Sequence, residues 1–127
     1  MDFVPAVKHA LSNYAVFQGR ASRSEFWWFE LFLVIAYVII AVLLAVLGAV
    51  LGDSGQIIGS LLYFVFALGV LLPALGVTIR RLHDVDKSGW WIFISVVPII
   101  GPILLIIWYC TKGSLGDNRF GADPLRG

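Results

Sequence analysis

Residues 31–51 read LFLVIAYVIIAVLLAVLGAVL, an apolar run without one charged side chain. At about 1.5 Å of rise per residue, such a run in helical form covers a hydrocarbon core of about 30 Å. The whole chain points to the same solvent. Of its 127 residues 60% are hydrophobic and 13% charged, whereas water-facing domains are about half apolar and a quarter charged. The length has room for one domain, and a net charge of +1 supplies no basic field for a nucleic-acid backbone. Nucleic-acid binding is therefore excluded from the expected functions.

Outward from this run, Trp27 and Trp28 stand where indole rings settle at a lipid–water boundary, so the first membrane segment is expected over about 27–51. Ser22-Arg23-Ser24-Glu25 has the form of a capping box, with Ser22 capping the helix start and Glu25 reaching back to it. Before it, residues 3–17 read as an amphipathic interfacial helix. Phe3, Val7, Ala10, Leu11, Tyr14 and Phe17 share one side of the wheel, with Lys8, His9, Ser12 and Asn13 opposite. The amino end does not resemble a cleaved signal, because the first apolar run is too long for a signal core.

On the other side, Gly52-Asp53-Ser54-Gly55-Gln56 predicts a tight turn between antiparallel helices, and residues 57–79 predict a second segment with Pro73 near its far end. Ala41, Ala45, Gly48 and Gly52 form a small-residue stripe on the first span, Ser60, Ala67 and Ala74 recur every seven residues on the second, and Gly48-x-x-x-Gly52 and Gly55-x-x-x-Gly59 have the spacing of close helix contact; internal packing is the expected use and an oligomer the alternative. The third run, 90–110, is interrupted by Pro98-Ile99-Ile100-Gly101-Pro102. Two shapes fit: one kinked span, or a re-entrant hairpin with Trp90, Trp91, Trp108 and Tyr109 all on one face. The span is preferred because a re-entrant form must bury its broken backbone in protein. A loop, residues 111–127, follows, dense in turn formers.

Charge sets the orientation. Arg20 and Arg23 precede the first segment, Arg80, Arg81 and Lys87 follow the second, and the turn between them has no Lys or Arg. The amino terminus and the Arg80 connector are thus expected in the cytoplasm. A third span would export a tail carrying Lys112, Arg119 and Arg126, which opposes that bias and favours the hairpin.

An antiparallel pair brings Glu25 and Glu30 to the depth of Arg80 and Arg81, and orienting ion pairs are the first reading of these residues. The wider cluster Arg20, Arg23, Glu25, Arg80, Arg81, His83, Asp84 and Lys87 is the candidate site for a lipid headgroup or a membrane partner. His83 beside Asp84 is the best acid–base fragment, yet adjacent residues seldom face one site and no nucleophile is spaced to use it. Lys87-Ser88-Gly89 lacks the preceding glycines of a phosphate loop. Cys110 stands alone and the two histidines supply no usual metal set, so neither metal nor cofactor is expected.

Four ordered motifs then carry a resemblance: Phe17-x-Gly19-Arg20-x-x-Arg23-x-Glu25-Phe26-Trp27; Arg80-Arg81-Leu82-His83-Asp84 with Ser88-Gly89-Trp90-Trp91; Pro98-x-x-Gly101; and Gly116-Asp117-Asn118-Arg119-Phe120-Gly121-x-Asp123-Pro124. Together they resemble the domain of unknown function 805 family, the YhaH-like bacterial inner-membrane proteins, over nearly the whole chain from Phe17. Asp86 departs from the Gly or Asn expected before the basic residue of the connector. The resemblance implies a small multi-span protein of the bacterial cytoplasmic membrane and brings no settled activity.

The expectation is thus a single all-α membrane domain, a small helical bundle with about three transmembrane segments and an interfacial helix. Its leading function is non-enzymatic: an accessory or interaction protein whose polar cytoplasmic face meets membrane lipids, another membrane protein or a second copy of itself; the tail motif Asp117, Asn118 and Arg119 joins that face if residues 90–110 return and has a separate role if they cross. The alternative is a subunit of an oligomeric transporter or channel, which needs a polar path that the apolar runs do not offer. A headgroup-directed enzyme, resting on His83 and Asp84, is the third reading.

Overall fold

A computed structural model of the protein describes residues 1–125; Arg126, counted above with the tail cations, and Gly127 lie outside the described residues. Four α-helices and one 3-10 helix make up the regular structure: α1 Phe3–Ser12, α2 Arg23–Leu51, α3 Asp53–Asp84, the 3-10 helix Gly89–Val96 and α4 Ile100–Cys110. Two compact units divide the chain, residues 30–72 and residues 1–29 with 73–127. Among the described residues, α2 and α3 are the two helices long and apolar enough to cross a membrane.

The unit of residues 30–72 is a helical hairpin. Its turn is tighter than the five-residue connection expected, because only Gly52 leaves the helical region, at a φ of +66° that glycine adopts without a Cβ penalty. The small residues serve internal packing: a side chain at Gly55 or Gly59 would run into the backbone of Leu47 or Leu44. Tyr37 adds ring contacts to Tyr63 and Phe66 at 5.5 and 5.2 Å.

The other unit carries the polar chemistry. Here α1 stops at Ser12, five residues short of the expected end. Ser12 Oγ donates to the Lys8 carbonyl, and both the N–H and Nδ2 of Asn13 donate to the His9 carbonyl, so these polar residues close the last turn. Its docking face is the small pair Ala6 and Ala10, both fully buried, while Leu11, Tyr14 and Phe17 stay exposed. Half of the predicted capping box forms. The Glu25 N–H donates to Ser22 Oγ at 3.3 Å, but the Glu25 carboxylate takes Arg80 and His9 instead of reaching back.

Residues 89–110 double back, and the preferred single kinked span is corrected to the hairpin alternative. α4 has 11 residues and the 3-10 helix 8, so neither arm matches the ~20 residues a crossing needs. Trp91 and Trp108, at opposite ends of the run, meet edge to face at 5.5 Å. Gly101 lets the arms touch, since any side chain there would collide with the Ile94 carbonyl. Little of the backbone at the tip is left unpaired. Pro98 and Pro102 have no N–H to satisfy, while the N–H groups of Val97, Gly101 and Ile103 donate to the carbonyls of Ile94, Val97 and Ile99.

Between α3 and the hairpin, Asp86 sits at a φ of +61°. This is the left-handed position that Gly or Asn most often fills and that Asp tolerates, so the departure from the family pattern costs the turn little. The tail is an ordered loop, as its turn formers predict: Asn118 and Gly121 exchange backbone hydrogen bonds at 3.1 Å, and the Asp123 carboxylate accepts from the Gly116 N–H at 3.0 Å.

Candidate functional site

Six of the eight candidate site residues, Arg20, Glu25, Arg80, Arg81, His83 and Asp84, are buried, with Arg81 fully enclosed. Asp84, the last residue of α3, is the centre. Its Oδ1 accepts from Arg20 Nε at 3.0 Å and its Oδ2 from Arg81 Nη1 at 2.7 Å. Each guanidinium then spends its remaining donors on carbonyls. Arg20 reaches the Ser114 and Gly116 carbonyls at 2.6 Å each, and Arg81 reaches Tyr109 at 3.1 and 3.0 Å and also Thr111. Arg81 thereby caps α4, whose last carbonyls have no partner within the helix and carry its negative dipole end.

A second pair sits beside α1. Arg80 Nη1 donates to Glu25 Oε1 at 2.9 Å, and His9 Nδ1 lies 2.6 Å from the same oxygen. Arg80 Nε and Nη2 are buried with no protein partner. The orienting pairs expected from sequence are therefore half present: Glu25 meets Arg80, but Arg81 takes Asp84, three residues on in its own helix, and no ion pair among the described residues involves Glu30. Breaking such a buried pair leaves an uncompensated charge, at a cost of about 3–5 kcal/mol. Arg20 and Arg81 are thus bonded within the fold, while Arg80 keeps two buried donors beyond its bond to Glu25.

His83 and Asp84 do not pair. His83 Nδ1 donates to the Gly19 carbonyl at 2.9 Å, which fixes the proton on Nδ1 and leaves Nε2 as the acceptor of the neutral ring. Phe120 covers one ring face at a centroid distance of 4.1 Å, and Asn118 Nδ2 donates to the His83 carbonyl at 2.9 Å. The tail motif thus packs on the end of α3. Among the described residues no group of three His, Cys, Asp or Glu side chains converges as a metal-ligand set.

The cations left at the surface among the described residues are Lys8, Arg23, Lys112 and Arg119, with Lys87 half-buried. Arg23 reaches the Cys110 carbonyl at 3.2 Å, Lys87 Nζ stands 5.3 Å from the Trp108 ring centre, and Arg119 pairs in the open with Asp86 at 3.2 Å. Sequence reasoning missed His9, which it put on a solvent face, and the carbonyls of residues 109–116, because a carbonyl acceptor carries no residue-type signal.

Comparison with known proteins decides the kinship. The model for a protein of unknown function, DUF805, matches residues 14–122. The chain belongs to the DUF805 family. Relatives within it are the inner membrane proteins YhaI and YhaH of Escherichia coli K12. YhaI is 42% identical over 118 residues, covering 90% of each chain, and YhaH is 38% identical over 115 residues, covering 90% of this chain and 91% of its own. The uncharacterized protein YiiR of the same strain is 35% identical over 134 residues, with 84% of each chain covered. No solved structure matches. Membership of DUF805, with two long apolar helices, makes this a helical protein of the bacterial inner membrane.

Proposed function

We propose that this protein is a non-enzymatic accessory protein whose cytoplasmic face gathers anionic phospholipid headgroups. The observation that carries the reading is the division of its cations. Arg20, Arg80 and Arg81 are buried and each pairs with a carboxylate, whereas Lys8, Arg23, Lys87, Lys112 and Arg119 remain for the surface. A cation near an anionic membrane surface contributes about 1 kcal/mol of attraction, and the exposed Asp86 partner of Arg119 offsets little of it.

Orientation supports the same face. All nine Lys and Arg residues of the chain lie in residues 1–29 or 73–127, and the stretch 30–72 has none. By the positive-inside tendency the amino terminus is cytoplasmic, α2 and α3 cross, and the return hairpin dips into the cytoplasmic leaflet and comes back. Lys112 and Arg119 then stay inside with Arg23 and Lys87, and the charge conflict created by a third crossing disappears. The tip's two prolines and locally paired N–H groups fit a turn within lipid.

The test is lipid enrichment. Protein reconstituted in vesicles of mixed phosphatidylethanolamine and phosphatidylglycerol, then extracted in discs with its surrounding lipid, is expected to carry phosphatidylglycerol above the bulk ratio. Changing Lys8, Arg23, Lys87, Lys112 and Arg119 together to Gln is expected to return the ratio to bulk. Enrichment that survives this change would reject the reading.

A further inference from the structure

Beside the buried network, the larger unit holds a groove of about 390 Å³ whose walls include Phe17 and Leu75 and Ile79 of α3, and Trp90, Ile92 and Phe93 of the 3-10 helix. This volume falls within the range of small-molecule sites, and the composition, mostly apolar with a few polar groups, is also theirs. The polar groups are His83 and Ser88. Each has a committed hydrogen bond and a spare capacity of known sign. His83 Nδ1 donates to Gly19, so Nε2 remains an acceptor. Ser88 Oγ accepts from the Trp90 N–H at 3.3 Å, so its O–H remains a donor. His83 is nine-tenths buried, and Nε2 has no partner among the described residues.

Positive charge lies at the same end. The Arg119 guanidinium, paired with exposed Asp86, stands 4.6 Å from the ring centre of Phe120, which stacks on His83, and Lys87 adjoins Ser88 in the chain with its Nζ over the Trp108 ring. An occupant must therefore bring an apolar chain for the groove, an anionic oxygen for Ser88 and the cations, and a hydroxyl that donates to His83. We infer that the groove holds one anionic phospholipid with a hydroxylated headgroup, of the phosphatidylglycerol type, with an acyl chain against Leu75, Ile79, Ile92 and Phe93. A zwitterionic lipid lacks the net charge, and phosphatidic acid lacks the glycerol hydroxyls. The inference rests on the headgroup reading above and deepens it from a general enrichment to one defined site.

Native mass spectrometry of the delipidated full chain in detergent, titrated in turn with phosphatidylglycerol, phosphatidic acid, phosphatidylethanolamine and phosphatidylcholine, tests it. One phosphatidylglycerol per chain is expected to survive activation that removes the other three. Filling the groove with Leu75→Trp or Ile92→Trp is expected to weaken retention about tenfold, the effect of withdrawing roughly two methylenes from burial. Ile103→Trp, on an exposed position of α4 outside the groove, is expected to leave it unchanged. Ile92→Phe is the milder filler should a tryptophan variant fail to remain monodisperse. Equal retention of all four lipids, or retention untouched by filling, overturns the inference. The double change Arg23→Gln and Lys112→Gln separates the two readings: it is expected to lower bulk enrichment in vesicles while the single retained lipid persists. Bulk enrichment with no retained lipid sinks the groove alone, and loss of both sinks the headgroup reading with it.

Discussion

Arg20 and Asp84 are 64 positions apart, and Arg20 Nε donates to Asp84 Oδ1 at 3.0 Å with both side chains sealed from solvent. That one carboxylate also holds Arg81, so the segment before α2, the end of α3, the end of α4 and the tail converge on it. Asp84→Ala is expected to destabilise the protein by about 3–5 kcal/mol, because two buried guanidiniums lose their counter-charge. Chemical unfolding in detergent, followed by circular dichroism, checks this. The double change Arg20→Met with Asp84→Ala is expected to cost less than the sum of the single changes, since the pair no longer leaves Arg20 stranded.

Arg81→Lys keeps the charge and loses the planar fork that reaches Tyr109 and Thr111 along with Asp84. Hydrogen exchange is expected to quicken across α4 and residues 111–121 and to stay unchanged across 30–72. The loss of charged hydrogen bonds worth about 1.5–3 kcal/mol each sets the scale.

Gly113→Ala drives a methyl group into the Asp84 carboxylate, and Gly101→Ala drives one into the Ile94 carbonyl. Each is expected to cost about 1–3 kcal/mol as overpacking. Gly69, which has open space where its side chain would be, gains helix propensity as Ala, about 1 kcal/mol. Thermal unfolding of the three variants in one detergent distinguishes these signs.

Glu25 and Glu30 are separated by function as well as by sequence. Glu25→Ala removes the partner of buried Arg80 and of His9, and is expected to cost about 3 kcal/mol or more. Glu30, with no ion pair among the described residues, is expected to cost less on the same change. Unfolding midpoints of the two variants, compared at one detergent concentration, check the order.

Much of this fold is legible in the sequence because lipid imposes a simple rule: a charge-free run of some 20 residues must be helical. α2, α3 and the break at Gly52 follow from it directly. The Glu25–Arg80 pair is legible too, because a short turn brings residues at equal distances from it to one depth. The hairpin is legible only in part: the charge bias points to a return, but the contact of Gly101 with Ile94 and a distant donor for the Tyr109 and Thr111 carbonyls are not written in the run itself. Nothing in residues 90–110 names Arg81 as that donor. The early end of α1 falls at Ser12 and Asn13, polar residues whose side chains bond back to the last turn, and an apolar wheel does not report such local preferences. The wheel places His9 toward solvent, where it lies, but does not report that its Nδ1 reaches the buried Glu25 carboxylate at 2.6 Å.

The account stands on the return of the third apolar run to the face from which it departs, and Cys110, the one cysteine of the chain and an exposed residue at the end of α4, is a built-in probe of it. An impermeant maleimide is expected to label Cys110 in inside-out membrane vesicles and not in intact spheroplasts, and to label Asp53→Cys in a Cys110→Ser background with the opposite preference. Labelling of Cys110 from outside intact spheroplasts would mean that residues 90–110 cross the membrane, and would contradict the account.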